Sequence, residues 1–452
     1  DRVDRLREAE EVKETCEGKM GVVREVRKTM VRQMPATPFN IGDLQREAYR
    51  VFGFSPSQTL VIAERLYLDA LISYPRTSSQ KLPPSIGYKK ILQGLSRINQ
   101  YRQDAHELMA GRLMPHEGEK YDPAHPSIYP TGEAPKRQLE ARENKLYDLI
   151  VRRFFAVFGE EAVRERISAT ISVERYNFKL SGRRTIKEGW LKYYRSYSAI
   201  EDRPIPVLNE GEELRVTKVD IVNKYEQSPP RYNQSSLLQR MEADGIGTKT
   251  TRAEVISTLF ERGYIAGESI MATDVGFTVV EAMQHHSPSI ISTEMTRSIE
   301  KDLEGIENGD AGEDEVIEKS VEQLVEPLSA IKEAEERIGK EIRQAIISTI
   351  RAQNLLGHCP ICKTGKLTVI RSRKTGKRFI GCTNYSRGCR ASAPLPQRGL
   401  IKTTSKVCNT CGWPIIYVKL SRIPWKLCVN VQCPAKEKRR ETIIQKPTKA
   451  GG

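Results

Sequence analysis

Tyr74 and Arg76 stand two residues apart where an apolar run ends, in Leu71-Ile-Ser-Tyr-Pro-Arg-Thr-Ser-Ser-Gln80. A phenol beside a fixed guanidinium can attack a phosphodiester, because the planar cation holds the negative charge that builds on the phosphoryl oxygens. The same cation favours loss of a proton whose ordinary pKa is about 10. Pro75 keeps Tyr74 out of the helical region, and in extended chain residues i and i+2 share a side, so Arg76 is expected beside the Tyr74 hydroxyl. Tyr74 is the candidate nucleophile and Arg76 its electrostatic partner.

Two further stretches carry polar chemistry. His125, in Ala124-His-Pro-Ser-Ile-Tyr-Pro-Thr-Gly132, can donate to a backbone phosphate and respond to pH near neutrality. In the other, Gly245 and Gly247 allow tight turns, and Thr251-Arg-Ala-Glu254 reads as a capping box opening a helix. A glycine-rich turn feeding a helix N-terminus is an anion site, so Thr248, Lys249, Thr251 and Arg252 are expected along a path of strand phosphates.

Eight of the nine cysteines fall into two sets of four: Cys359, Cys362, Cys382 and Cys389, then Cys408, Cys411, Cys428 and Cys433. Two sulfurs separated by two residues bind one ion from a tight turn, and a second pair from a neighbouring hairpin completes a tetrahedron. Two structural Zn2+ sites are expected, with no open position for catalysis. Their spacing, without a secretion signal, argues for metal in a reducing compartment and against disulfides. Basic residues lie beside Phe379, Tyr385, Trp413, Tyr417 and Trp425, which suits single strands, although each ribbon also needs some aromatics for its core.

The segment Leu71 to Pro83 closely resembles the active-site segment of type IA DNA topoisomerases, especially the archaeal branch. Leu44-Gln-Arg-Glu-Ala48, the His125 segment, residues 231–265, the run from Thr296 to Gly309 and Gly381-Cys-Thr-Asn-Tyr385 resemble further segments of that family. Bacterial members often carry Arg where this chain has Tyr129. The resemblance implies a 5′-phosphotyrosine link at Tyr74, DNA contacts at Gln45, His125, Thr248, Lys249, Thr251 and Arg252, and cleavage, strand passage and religation without ATP. It also implies a Toprim domain, in cis or in trans, that holds Mg2+ and that this chain does not display. The acidic residues Asp310, Glu313, Asp314 and Glu315 lack the strand and glycine context of such a domain. The chain, which begins at Asp1, is expected to be a fragment or processed product that is incompetent alone. Alternatives are a zinc-dependent single-strand-binding module without catalysis, or the topoisomerase half of a split enzyme or reverse gyrase.

The elements that must position these residues give an α+β multidomain chain: a gate of helical domains plus a β arch, followed by two zinc ribbons. Expected boundaries are 1–38 for the first part of the arch, 39–160 for the catalytic-tyrosine domain and 161–228 for the returning arch. A helical DNA-binding domain (229–345), ribbons at 346–397 and 398–440, and a basic flexible tail at 441–452 complete it. Helices are expected from Asp43, from the capping box Ser55-Pro-Ser-Gln58 and over 143–158, and strands at 20–32, 167–173 and 214–219. Residues 313–345 read as helix broken at Pro327. With 452 residues, 38% hydrophobic and 29% charged, the chain belongs with soluble globular proteins. No stretch reads as a membrane span or signal peptide. The net charge of +15 is concentrated: from Cys359 onward 21 Lys and Arg face 2 Asp and Glu, leaving −4 on residues 1–358. Such a segment seeks polyanions. Single-stranded and negatively supercoiled DNA are the expected partners, with a monomeric, cytoplasmic, nucleoid-associated enzyme when complete.

Overall fold

The computed structural model describes residue 3 and residues 5–419 and 424–436; the tail expected over 441–452 lies outside them. The chain divides into two compact units, one comprising residues 1–271 and 293–317, the other 272–292 and 318–452.

The first unit begins with α1 (Leu6–Cys16) and the long strand β1 (Met20–Gln33). A helical block then intervenes: α2 (Ile41–Phe52), α3 (Pro56–Leu68), α4 (Tyr88–Ser96), α5 (Arg102–Ala110) and α6 (Ala141–Ala156). The chain returns to the sheet in β2 (Ala162–Val173) and β3 (Tyr176–Lys187), passes the short α7 (Leu191–Tyr194), and adds β4 (Glu213–Arg215). The antiparallel order is β3-β2-β1-β4, with Gly21–Gln33 running against Val173–Ala162. The sheet is therefore built from sequence on both sides of the helical block, as an interrupted arch requires. Of the strand expected over 214–219, β4 covers Glu213–Arg215 against Met20–Val22, and Val216 adds backbone hydrogen bonds to Gly18 and Lys19.

Capping chemistry sets the helix that precedes Tyr74. Ser55 accepts from the Gln58 N–H at 3.2 Å and Gln58 accepts from the Ser55 N–H at 3.3 Å, with Pro56 at the first helical position. Leu44, Ala63, Leu66, Leu71, Leu92, Leu146 and Phe155 are fully buried in one core that joins α2, α3, α4 and α6. The unit ends with α8 (Gln234–Ala243), α9 (Arg252–Glu261), the two-residue strand β5 (Ile265–Ala266), and α11 (Thr293–Asn308), which follows β6 (Met271–Ala272) and α10 (Asp274–His286) in the chain.

In the second unit α10 packs on α12 (Glu313–Asn354) through Ala282, Ala334 and Ile338. Pro327 does not break α12, contrary to expectation. A proline inside a helix costs about 3 kcal/mol; here the packing downstream of it holds the helix, and Ser287 Oγ donates to the Pro327 carbonyl at 3.1 Å. Continuous α12 also moves the start of the first ribbon from 346 to Leu355. That ribbon is the sheet β10-β9-β8-β7, from β7 (Leu355–His358), β8 (Lys366–Arg371), β9 (Arg378–Cys382) and β10 (Ser392–Pro394). The second is β11 (Leu400–Val407), β12 (Pro414–Lys419) and β13 (Trp425–Cys428). Leu356, Leu367 and Ile380 of the first pack in one cluster with Ile416, Val418 and Val429 of the second.

Gly94 of α4 lies against the loop that follows Pro130, and a Cβ there would meet Gly132 O at 2.1 Å. Gly94→Ala is therefore expected to lower stability by about 2 kcal/mol, read as a fall in the denaturation midpoint.

Candidate active site and metal centres

Tyr74 sits on an irregular stretch laced into a second loop. Ser73 N–H donates to Tyr129 O at 2.9 Å, Ser73 Oγ donates to Ser127 O at 3.1 Å and accepts from Tyr129 N–H at 3.0 Å. Thr77 Oγ1 donates to His125 O at 3.1 Å, and Gln80 N–H to Lys120 O at 2.9 Å. The lacing brings the Tyr74 ring, half-buried, between Tyr67 (5.4 Å, edge-on) and His125 (4.6 Å, tilted). Two of the residues chosen from sequence, Tyr74 and His125, are thus neighbours.

Arg76 sits at a turn and is held by a carboxylate. Thr77 N–H donates to Pro75 O at 3.0 Å, a tight turn centred on Arg76 that ends the extended run. The Arg76 guanidinium meets Glu64 of α3, with Nε to Oε1 at 2.7 Å. Both side chains are about a third exposed, at 31% and 36%. Such surface pairs contribute about 0–1 kcal/mol, so a phosphate can displace Glu64.

Four residues beyond Tyr74, Ser78 borders a recess shared with Asn40, Gln45, Lys120, Lys249 and Arg252. Gln45 is buried there and its amide donates to Pro56 O at 3.1 Å, tying α2 to α3. Gly245 and Gly247 have φ of +64° and +70°, the left-handed turns expected of them. Thr251 does not form the expected capping box: its hydroxyl accepts from Thr248 N–H at 2.9 Å across the turn, leaving no side-chain cap on α9. Arg252 is half-buried, its Nε donating to Ile246 O at 3.0 Å; burial pulls it below the usual guanidinium value, against Glu242, Glu300 and Glu304.

Sequence reasoning missed the acids that organise this recess. Asp122, buried, receives Lys249 Nζ at 2.7 Å, Ser78 N–H at 3.1 Å and Ala124 N–H at 3.1 Å. Burial alone would raise its pKa, but Lys249 and these N–H donors outweigh it and hold the carboxyl well below the usual range. Glu242 of α8 receives Arg46 Nη1 of α2 at 2.7 Å and also Lys120; burial opposes its ionisation and the two cations prevail. The available signal was Asp122-Pro-Ala-His125, an aspartate that caps its own turn.

The cysteines assemble as their spacing implies, each set with sulfurs within 4.8 Å of one another. Cys359 and Cys389 sulfurs lie 3.8 Å apart, Cys362 and Cys382 3.7 Å, Cys408 and Cys433 3.7 Å, Cys411 and Cys428 3.5 Å. Sulfurs about 2.3 Å from a central zinc in a tetrahedron lie about 3.8 Å apart, so both sets fit such an ion. The Gly365 N–H, donating to Cys362 Sγ at 3.3 Å, brings that thiol down to about 6. Among the aromatics, Tyr385 and Trp425 are exposed, with the Arg390 guanidinium 4.6 Å from the Tyr385 ring. Phe379, Trp413 and Tyr417 are half-buried. Among the described residues no helix is long and apolar enough to cross a membrane.

Because Asp122 ionises at lower pH folded than unfolded, its stabilisation is complete above the unfolded value of about 3.9 and fades as pH falls below it. Asp122→Asn is expected to cost about 2 kcal/mol at neutral pH and to flatten the loss of thermal stability on acidification below about pH 5. Calorimetry of both proteins across pH checks this.

A family model described as DNA topoisomerase matches residues 1–318. DNA topoisomerase 1 of Pyrococcus horikoshii is 42% identical over 94% of this chain and 64% of its own length. That of Methanothermobacter thermautotrophicus is 38% identical over 97% of this chain and 59% of its own. The chain thus spans about three-fifths of the length of these curated relatives. The full-length topoisomerase I of Thermotoga maritima, 22% identical, superposes with a TM-score of 0.57 over 90% of this chain and 64% of that one, a likeness of fold. With that family model matched over residues 1–318, an interrupted sheet and two four-cysteine sets in one chain, this protein belongs to the type IA DNA topoisomerase family.

Proposed function

We propose that Tyr74 cleaves one DNA strand by transesterification, within an ATP-independent cycle of cleavage, strand passage and religation that relaxes negatively supercoiled DNA. The Tyr74 oxygen attacks phosphorus, the bond to the 3′ oxygen breaks, and a 5′-phosphotyrosine forms. The phenolic proton leaves and the departing 3′ oxygen gains one. Attack by the 3′-hydroxyl reverses each change, and since one phosphodiester replaces another, no nucleotide hydrolysis is required.

The observation that carries this reading is the Tyr74 ring held between Tyr67 and His125 on a laced segment, four residues from a recess lined by Lys120, Lys249 and Arg252. In the cycle Arg76, released from Glu64, holds the phosphoryl oxygens, and His125 orients the phenol. Thr248, Lys249, Thr251 and Arg252 guide the strand's phosphates. Gln45 acts at one remove, through the α2–α3 junction that borders the recess. Toprim carboxylates, in cis or in trans, would hold Mg2+, which would neutralise charge on the phosphates, and this chain alone is expected to be incompetent without them. The complete enzyme is read as monomeric, nucleoid-associated and cytoplasmic. Zn2+ in each four-cysteine site fixes the ribbons, and Tyr385 and Trp425 stack on bases of single strands.

The test incubates this chain with 5′-blocked, 3′-labelled single-stranded DNA and Mg2+, with and without an added Toprim domain. Label covalently attached to protein under denaturing conditions, only with that domain and never in Tyr74→Phe, is the expected result. Absence of any adduct with a folded partner, beside zinc-dependent strand binding, would leave a binding module without chemistry. In a separate measurement, Cys362→Ser and Cys411→Ser are each expected to lower the zinc content from two ions per chain to one, read by elemental analysis.

A further inference from the structure

The two faces of the β2–β3 pair treat charge in opposite ways. Glu165 of β2 stands opposite Arg184 of β3, and the two form an ion pair at 2.6 Å with Glu165 4% exposed. One residue along, on the other face, Arg166 stands opposite Arg183, and Arg183 in turn pairs with Arg203 through two backbone hydrogen bonds, of 2.9 and 2.8 Å. Three arginines therefore lie side by side across neighbouring strands, all exposed. Among the described residues no ion pair joins any of them to a carboxylate. Like charges directly opposite destabilise a sheet, so this row works against the folded chain unless an anion lies across it.

The rest of that face is mostly polar, the exposed Val31 opposite Arg164 excepted. Thr29 of β1 extends the row beyond Arg166, and Ser168 opposite Ser181 forms the next. The alternate positions Ala169, Ile171 and Leu180 face the small core on the other side. A recess of about 400 Å³ adjoins the row; Arg164, Ser181, Arg183, Glu201 and Arg203 line it together with the smaller or apolar Gly182, Ala199 and Ile200. Glu201 is its one carboxylate; Asp202 next to it is held by Arg164 at 3.0 Å. Arg164 Nε is buried there without a hydrogen-bond partner.

We propose that this face of the arch is a docking surface for the phosphate backbone of duplex DNA, centred on Arg166, Arg183 and Arg203. Arginine with flanking hydroxyls is the chemistry of backbone contact. Single-strand sites add aromatic platforms for unstacked bases, and this face has none, which favours an intact duplex. The strands match it in length: twelve residues extend about 40 Å, and a duplex turn is about 34 Å. Adjacent strands, about 4.8 Å apart, set the arginines closely enough to meet consecutive phosphates. The inference rests on the proposed function only in taking DNA as the substrate.

The experiment measures binding of the full chain to a blunt 30-base-pair duplex and to a single strand over a range of salt. It compares the wild type with Arg166→Gln/Arg183→Gln/Arg203→Gln and with Arg183→Gln and Arg183→Lys alone. The triple variant is expected to lose roughly tenfold or more in duplex affinity at low salt, and its log–log salt slope to become shallower by about 0.9 for each phosphate that is no longer neutralised. Single-strand affinity is expected to stay the same, Arg183→Lys to keep the wild-type slope, and the thermal midpoint without DNA to hold or rise as repulsion is relieved. An unchanged duplex slope in the triple variant, or equal losses on duplex and single strand, would overturn the proposal. Should the triple variant fail to fold, Arg183→Gln against Arg183→Lys decides it by the same slope. Adduct formation at Tyr74 is read on the same preparations, so failure of the cleavage reading leaves the duplex comparison intact.

Discussion

The site depends on one set of backbone hydrogen bonds: those that lace residues 71–81 to residues 117–131. Two segments some fifty residues apart become a single scaffold through Ser73, Thr77, Gln80 and the carbonyls and N–H groups opposite them. Ser73 is central, its hydroxyl donating to one carbonyl while accepting from an N–H two residues further along. Without that lacing nothing would hold the His125 ring against Tyr74, since neither segment has regular secondary structure to fix it. Backbone groups in such irregular chain must find partners or remain in water, and here they find each other.

Around this scaffold the cations that suit a polyanion are already held. Glu64 takes Arg76, Asp122 takes Lys249, and Glu242 takes Arg46 and Lys120. The Asp122 and Glu242 pairs join elements distant in sequence, whereas Glu64 and Arg76 are 12 residues apart; in each the carboxylate supplies an internal stand-in for phosphate. On the proposed reading, a DNA strand entering here would exchange one anion for another, and the cost of separating charges would be largely returned. The arch row differs: among the described residues no ion pair joins Arg166, Arg183 or Arg203 to a carboxylate, although Glu201 lines the recess beside Arg183 and Arg203. The recess resembles a closed lock of matched charges, the arch face an open one.

The ribbons solve a different problem. Each has few apolar residues, and four sulfurs placed to hold one ion would substitute for part of a core. Their residual apolar groups meet in a shared cluster, which leaves Tyr385 and Trp425 outside it. Basic side chains dominate what remains on the surface, consistent with a segment carrying 21 Lys and Arg against 2 Asp and Glu.

Local chemistry was legible in the sequence. The Ser55–Gln58 cap, the left-handed turns at Gly245 and Gly247, the strand from Met20 and the two cysteine tetrads each depend on a few residues within one short stretch or on fixed ligand spacing. The interrupted arch was legible as well, because alternation resumed after the helical block. Tertiary structure decided where charges point. A turn at Arg76 and the carboxylate of Glu64 decide where that guanidinium is held; Thr251 bonds across its turn instead of capping α9. Pro327 stays within α12 because packing outweighs a local propensity, and Asp122 and Glu242 acquire their roles from cations 127 and 196 residues away. Sequence spacing governs groups that share one turn or one strand; which cation a buried acid meets depends on how separate elements pack, and no local pattern encodes it.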